Sequence, residues 1–154
     1  MGTEIERKFL IVGEAWRSLA PATHYRQGYL SRVKERTVRV RRAGDKGALT
    51  VKGVSVGATR NEYEYEIPPA DADEMIDRLC EKPIVEKNRR RIPVGDITWE
   101  VDEFLGINEG LVVAEVELHS EDQPFDKPDW IGEEVTGDPK YFNANLVARP
   151  FSTW

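Results

Sequence analysis

Glu4-Ile5-Glu6-Arg7-Lys8 runs directly into Phe9-Leu10-Ile11-Val12, and the fold turns on how this stretch is read. As a strand, its period of two puts Glu4, Glu6 and Lys8 on one face and Ile5, Arg7 and Phe9 on the other. Two acids beside a base at fixed spacing can hold a cation and a multiply charged anion together. The same alternation recurs along the chain. Residues 37–42 set Val38 and Val40 opposite Arg39 and Arg41, and residues 49–52 bring Thr50 and Lys52 to one side. Residues 60–67 carry Glu62, Glu64 and Glu66 against Tyr63 and Tyr65. Residues 84–92 align Lys87, Arg89 and Arg91, and residues 98–102 separate Trp99 and Val101 from Glu100 and Asp102. Residues 111–118 place Val112, Ala114, Val116 and Leu118 opposite Glu115 and Glu117. Residues 25–30 add a strand of mixed aromatic and polar character.

The bulk composition narrows the class. At 154 residues the chain is most simply one domain, spanning 1–154. It has 22 Lys plus Arg against 28 Asp plus Glu, a net charge of −6, which argues against coating nucleic acid. A hydrophobic content of 40% with four Trp argues against disorder. No apolar run approaches the roughly 18 residues of a membrane span, and the acidic start lacks the layout of a secretory signal. Cys80 is the single cysteine, which excludes an intrachain disulfide and a cysteine zinc cluster. The expected setting is the cytoplasm, with no membrane or nucleic-acid partner.

Turns and helices fill the intervals. Lys34-Glu35, Gly44-Asp45-Lys46-Gly47, Pro93-Val94-Gly95-Asp96 and residues 106–110 read as turns. Residues 70–81 form the internal helix candidate, with Met75, Ile76, Leu79 and Cys80 at helical spacing and Asp71 and Asp73 at its start. Residues 13–19 read as a short helix or loop, and residues 121–130 as a loop. Asp138-Pro139 is a helix start that predicts a short C-terminal helix over 141–148.

Alternating charge on one strand ordinarily marks the solvated face of a half-buried sheet. Here the signs are sorted by strand: Glu62, Glu64 and Glu66 are all acidic, whereas Lys87, Arg89 and Arg91 are all basic. Neighbouring rows of like charge are destabilising unless a counter-ion sits among them. Glu4 and Glu6 lie at one end of the sequence and Glu115 and Glu117 at the other, and terminal strands that close a barrel would gather all four. The pattern therefore predicts a mainly β (α+β) fold: a closed antiparallel barrel with a charged lumen and an apolar exterior covered by helices. A basic wall would take phosphates and an acidic wall would take metal.

These residues resemble the CYTH superfamily, also called triphosphate tunnel metalloenzymes. Glu4-Ile5-Glu6-Arg7-Lys8 matches its ExExK signature. Arg39-Val40-Arg41, Leu49-Thr50-Val51-Lys52, Asn61-Glu62-Tyr63-Glu64, Glu86-Lys87-Asn88-Arg89 and Ala114-Glu115-Val116-Glu117-Leu118 follow in the family order. Gly132-Glu133-Glu134-Val135-Thr136, then Asp138, Tyr141 and Asn143, look like the tail of the small bacterial single-domain members. The resemblance implies an eight-stranded tunnel and a divalent cation, Mg²⁺ or Mn²⁺. It also implies hydrolysis of inorganic tripolyphosphate, thiamine triphosphate, nucleoside triphosphates or an RNA 5′-triphosphate end, or cyclisation of ATP.

Carried over by position, Glu4, Glu6 and Glu117 correspond to the metal-binding carboxylates, with Glu115 beside them to position water. Lys8, Arg39, Arg41, Lys52, Lys87 and Arg89 correspond to the phosphate-binding cations. Glu6, Glu115 and Lys87 are the expected catalytic groups. Glu62, Glu64 and Asp102 are supporting acids that would bind a second metal, orient water or hold the basic side chains. Arg91 is expected near a tunnel mouth, and Tyr29 either faces the lumen or packs. His24 and His119 are isolated and read as structural, and Cys80 as packing. The expected activity is metal-dependent cleavage of the terminal phosphate of a linear triphosphate, foremost inorganic tripolyphosphate. The alternatives are a class IV type adenylate cyclase, a thiamine or nucleoside triphosphatase, and a non-catalytic polyphosphate-binding module. Family analogy suggests a homodimer.

Overall fold

The computed structural model describes residues 2–154. Nine strands run in chain order: β1 (Thr3–Ile11), β2 (Ala22–Ser31), β3 (Thr37–Ala43), β4 (Lys46–Lys52), β5 (Thr59–Ile67), β6 (Val85–Val94), β7 (Ile97–Phe104), β8 (Val112–Glu117) and β9 (Ile131–Glu134). The one α-helix among the described residues, α1 (Pro69–Arg78), falls between β5 and β6. The sheet order is β5-β4-β3-β2-β6-β7-β8-β1-β9, and a β5–β1 pairing closes the first eight strands into an antiparallel barrel. Strand β1 carries the closure. Its first half pairs with β5 through Thr3, Glu4 and Ile5, and its second half pairs with β9, while β8 occupies its other side.

Local chemistry sets the hairpins. Gly44 (φ 58°) and Gly95 (φ 61°) take the left-handed conformation that turns β3 into β4 and β6 into β7. The apolar face of each strand points outward and is covered piecewise. Phe9, Trp99, Val116 and Trp130 pack on the β6–β7–β8–β1 side, with Trp99 edge-on to Phe9 at 5.5 Å. Helix α1 lays Ala72 and Ile76 over Val40 on the opposite side, and Cys80 just beyond its end joins them. Gly28 permits that approach, since a Cβ there would stand 2.6 Å from the Cys80 Cβ. Tyr29, Val85, Phe104, Leu146 and Val147 form a third cluster under the C-terminal segment.

Three expectations need correction. The internal helix ends at Arg78, so Leu79 leaves the apolar stripe and is 67% exposed. The C-terminal helix over 141–148 is replaced by separate 3-10 turns at Pro139–Tyr141, Asn143–Leu146 and Phe151–Thr153. Asp138 does cap the first turn, accepting from the Lys140 N–H, but Phe142 is extended and breaks helical continuity. The exterior is accordingly not helix-covered all round: Tyr63 and Tyr65 on the outer face of β5 stay exposed. The ninth strand, β9, falls where the sequence pattern shows no alternation.

Candidate active site

Because apolar residues face outward, the alternate positions converge on a lumen. It encloses a cavity of about 1080 Å³ whose wall includes Glu6, Lys8, Arg39, Arg41, Lys87 and Glu115. Every cation and acid expected in the site borders this lumen except Asp102, which sits behind it, fully buried between Lys87 and Arg89.

Cross-strand register sorts the charges. On one side Glu6 faces Glu117 and Lys8 faces Glu115. The Glu6 and Glu115 carboxyls share a hydrogen bond; burial first, then Glu115 and Glu4, push the Glu6 acid well above its ordinary value. Burial also raises Glu115, but Lys8, the Glu6 hydrogen bond, Arg89 and Lys87 outweigh it and keep that carboxylate well below the usual range. Burial, together with Glu4 and Glu100, raises Glu117. Burial, together with Glu4, raises Glu62. Such a cluster holds protons because its charges repel, and a cation relieves the same repulsion.

The expected metal set is only partly gathered. Among the described residues no three carboxylates or imidazoles stand close enough to form a complete cage. Glu4 is instead held by Lys52, whose ammonium donates 3.1 Å bonds to both carboxylate oxygens, and lies 3.4 Å from the Arg60 Nε. Burial raises the Glu4 acid, yet Lys52 leads the interactions that lower it overall. An all-oxygen donor set of few protein ligands still fits a hard divalent cation that keeps waters and takes substrate oxygens.

The basic wall is built around Asp102. Arg89 clamps it through Nε and Nη2 at 2.7 and 2.8 Å, and the Lys87 ammonium stands 2.7 Å from it. Burial lowers the Lys87 ammonium to about 7, with Asp102 opposing and Arg89 and Arg41 assisting. Arg39 reaches Thr50 and Glu64, leaving its buried Nε without a partner. Arg41 differs from its neighbours: among the described residues no carboxylate lies within ion-pair distance of it. Burial first, then Arg39 and Arg89, brings its guanidinium down to about 9.

Other expected residues fall elsewhere. Arg91 pairs with Glu100, and both border the lumen. Tyr29 is 5% exposed and packs with Val85 and Phe104, although it also borders the cavity. His24 is exposed and pairs with Glu86, and Cys80 is buried beneath the helix end.

Four neutral contributors were not expected from the sequence pattern. Tyr25 carries the Arg41 and Arg89 guanidinium groups against its ring at 4.8 and 5.0 Å from the centroid. Gln27 and Asn143 bond to each other and to the basic wall, and the Tyr141 carbonyl accepts from Lys8 at 3.0 Å. Tyr25 and Gln27 share the face of Tyr29 at a period of two, a signal present in the sequence but unused.

A profile of the CYTH domain matches residues 2–151. The chain belongs to the CYTH family. Among CYTH relatives, the inorganic triphosphatase of Acetivibrio thermocellus is 57% identical over 154 residues, covering 100% of this chain and 99% of that one. The inorganic triphosphatase of Nitrosomonas europaea is 40% identical over 150 residues, covering 94% and 97%. A solved CYTH structure described as an inorganic triphosphatase superposes with a TM-score of 0.63 at 35% identity, covering 93% of this chain and 96% of that chain. In this CYTH tunnel β1 both closes the barrel against β5 and pairs with β8 from the far end of the chain, which brings Glu6 to Glu117. Among the described residues no helix is long and apolar enough to cross a membrane.

Proposed function

We propose that this CYTH protein is a metal-dependent triphosphatase that hydrolyses inorganic tripolyphosphate to pyrophosphate and orthophosphate. The observation that carries the reading is Arg41: a half-buried guanidinium with no carboxylate partner among the described residues, beside Arg39, Arg89 and Lys87. Burying a cation among cations is costly, and a linear polyanion in the lumen reverses the cost. The names of the two full-length relatives support the same substrate.

Arg39, Arg41 and Arg89 fork onto phosphate oxygens, and Lys8 and Lys52 flank the chain as point charges. Glu115, kept ionised by its cationic neighbours, accepts a hydrogen bond from the attacking water and fixes its direction. The water oxygen forms a bond to the terminal phosphorus as the bond to the bridging oxygen breaks. Lys87, with a proton affinity near neutrality, supplies a proton to the departing pyrophosphate. Glu6 and Glu117, with Glu4 adjoining, would hold Mg²⁺ or Mn²⁺, which supplies charge neutralisation on the terminal phosphate when bound. Glu62 and Glu64 hold Lys52 and Arg39, and Asp102 holds Lys87 and Arg89.

The test is turnover of tripolyphosphate, ATP, thiamine triphosphate and pyrophosphate with Mg²⁺, Mn²⁺ or a chelator. Orthophosphate from tripolyphosphate that ceases with chelator is the expected result. Cyclic AMP formed from ATP without release of orthophosphate, or no turnover with either metal, overturns the reading.

The Lys87 value also predicts a pH dependence. The ammonium is present below about pH 7 and is lost above it, so its help in anion binding fades as pH rises. With metal withheld, the ratio of wild-type to Lys87→Met affinity for tripolyphosphate is expected to shrink from about pH 6 to about pH 8.5. Calorimetric titration of both proteins checks this, and titration of the ligand itself cancels in the ratio.

A further inference from the structure

Gln27 is fully buried behind the residues that line the lumen, a position where an amide needs a partner at both ends. Its Oε1 accepts from the Arg41 Nε at 3.0 Å, and its Nε2 donates to the Asn143 Oδ1 at 3.0 Å. The same Asn143 oxygen accepts from the Lys87 Nζ at 2.8 Å. The polarity of this string is forced from its two ends. Arginine and lysine can only donate, so Gln27 must turn its oxygen to Arg41 and Asn143 must turn its oxygen to Lys87. The Gln27 nitrogen then meets the Asn143 oxygen, and neither amide can flip without placing donor against donor.

The string also disposes of the hydrogens that would otherwise compete for substrate. Asp102 and Asn143 take two of the three Lys87 N–H bonds and leave one to point elsewhere. Gln27 takes the Arg41 Nε–H and leaves the two terminal nitrogens free to fork onto an anion. Asn143 is itself fixed, because its turn is anchored by Leu146 in the cluster with Val85 and Phe104.

We propose that Gln27 and Asn143 are positioning residues that aim Lys87 and Arg41 at the triphosphate, so that the C-terminal turn orients the basic wall. The proposal rests on the triphosphatase reading. It is tested by tripolyphosphate affinity, measured by calorimetry with metal withheld, in a double-mutant cycle. Asn143→Leu is expected to weaken binding about tenfold in the wild-type background and less than about twofold in Lys87→Met. Equal losses in the two backgrounds, with thermal melting unchanged, would mean that Asn143 acts through packing alone and would overturn the proposal. Forced polarity gives a second readout. Gln27→Glu keeps an acceptor for Arg41 but turns oxygen against oxygen at Asn143, so it should bind as weakly as Gln27→Leu. Wild-type affinity in Gln27→Glu also overturns the proposal. If wild-type protein neither binds nor hydrolyses tripolyphosphate, it is the triphosphatase reading that fails.

Discussion

Glu6→Gln is expected to reduce tripolyphosphate hydrolysis by about a thousandfold or more while raising the melting temperature of the metal-free protein. Both effects come from one carboxyl. Glu6 lies on β1 directly opposite Glu117 and hydrogen-bonds Glu115, so it stands at the centre of the acidic cluster. Removing its charge takes away a metal-holding oxygen and the partner that helps fix Glu115. The stability effect follows from the sign of the shift. Burial, Glu115 and Glu4 raise the folded-state value, so Glu6 favours the fold at acid pH and loses that contribution as pH rises through the raised value. Above the ordinary carboxylate range Glu6 therefore opposes folding, and glutamine relieves that cost. Kinetic assays with Mg²⁺ or Mn²⁺, paired with thermal melts in chelator, read both quantities. Retained turnover would remove Glu6 from the chemistry, and a lowered melting temperature would contradict the electrostatic account.

Asp102→Asn is expected to act in the opposite sense on stability, costing about 3–5 kcal/mol and most of the activity. Asp102 is fully buried and is the counter-ion of both Lys87 and Arg89. The amide matches it in size, so the loss reports charge rather than volume. It leaves two cations facing one another, with Arg41 close enough to both to perturb them. Burial raises the Asp102 acid, but Arg89 and Lys87 together bring it below its ordinary value. Its stabilisation is therefore present above the unfolded carboxylate value and is lost as pH falls through the lowered one. Urea unfolding should separate the two proteins widely at neutral pH and bring them together in strong acid. A gap independent of pH would locate the effect outside this ion pair.

The barrel was legible because strand periodicity and the need for a charged lumen point to the same arrangement. Glu4, Glu6 and Lys8 alternate with Ile5 and Phe9, and Lys87 and Arg89 lie on the opposite parity to buried Ile92. Signs sorted by strand then gave the acidic and basic walls. The C-terminal segment was illegible for a definite reason. Tyr141, Phe142, Leu146 and Val147 carry near-helical spacing, but Asn143 must reach Lys87 while Leu146 reaches Phe104, and short 3-10 turns with extended Phe142 achieve both. Gln27 and Asn143 escaped because a search for charge is blind to neutral amides, whose role appears only when donors and acceptors are counted in space. Glu4 is an expected metal-binding carboxylate, yet Lys52 reaches it across the β1–β5 closure, a pairing that spacing alone cannot reveal.

The split pairing of β1 bears on the order in which the molecule is completed. Its residues find their partners 50 or more positions away, on β5, and more than 100 positions away, on β8 and β9. Contacts of such long range form late, because the intervening chain must be ordered before they give any return. During synthesis Glu4 and Glu6 are among the first residues made and among the last to be seated. A chain still lacking β8 carries the basic hairpins without the opposing acidic wall, so this tunnel acquires its chemistry only when its two ends meet.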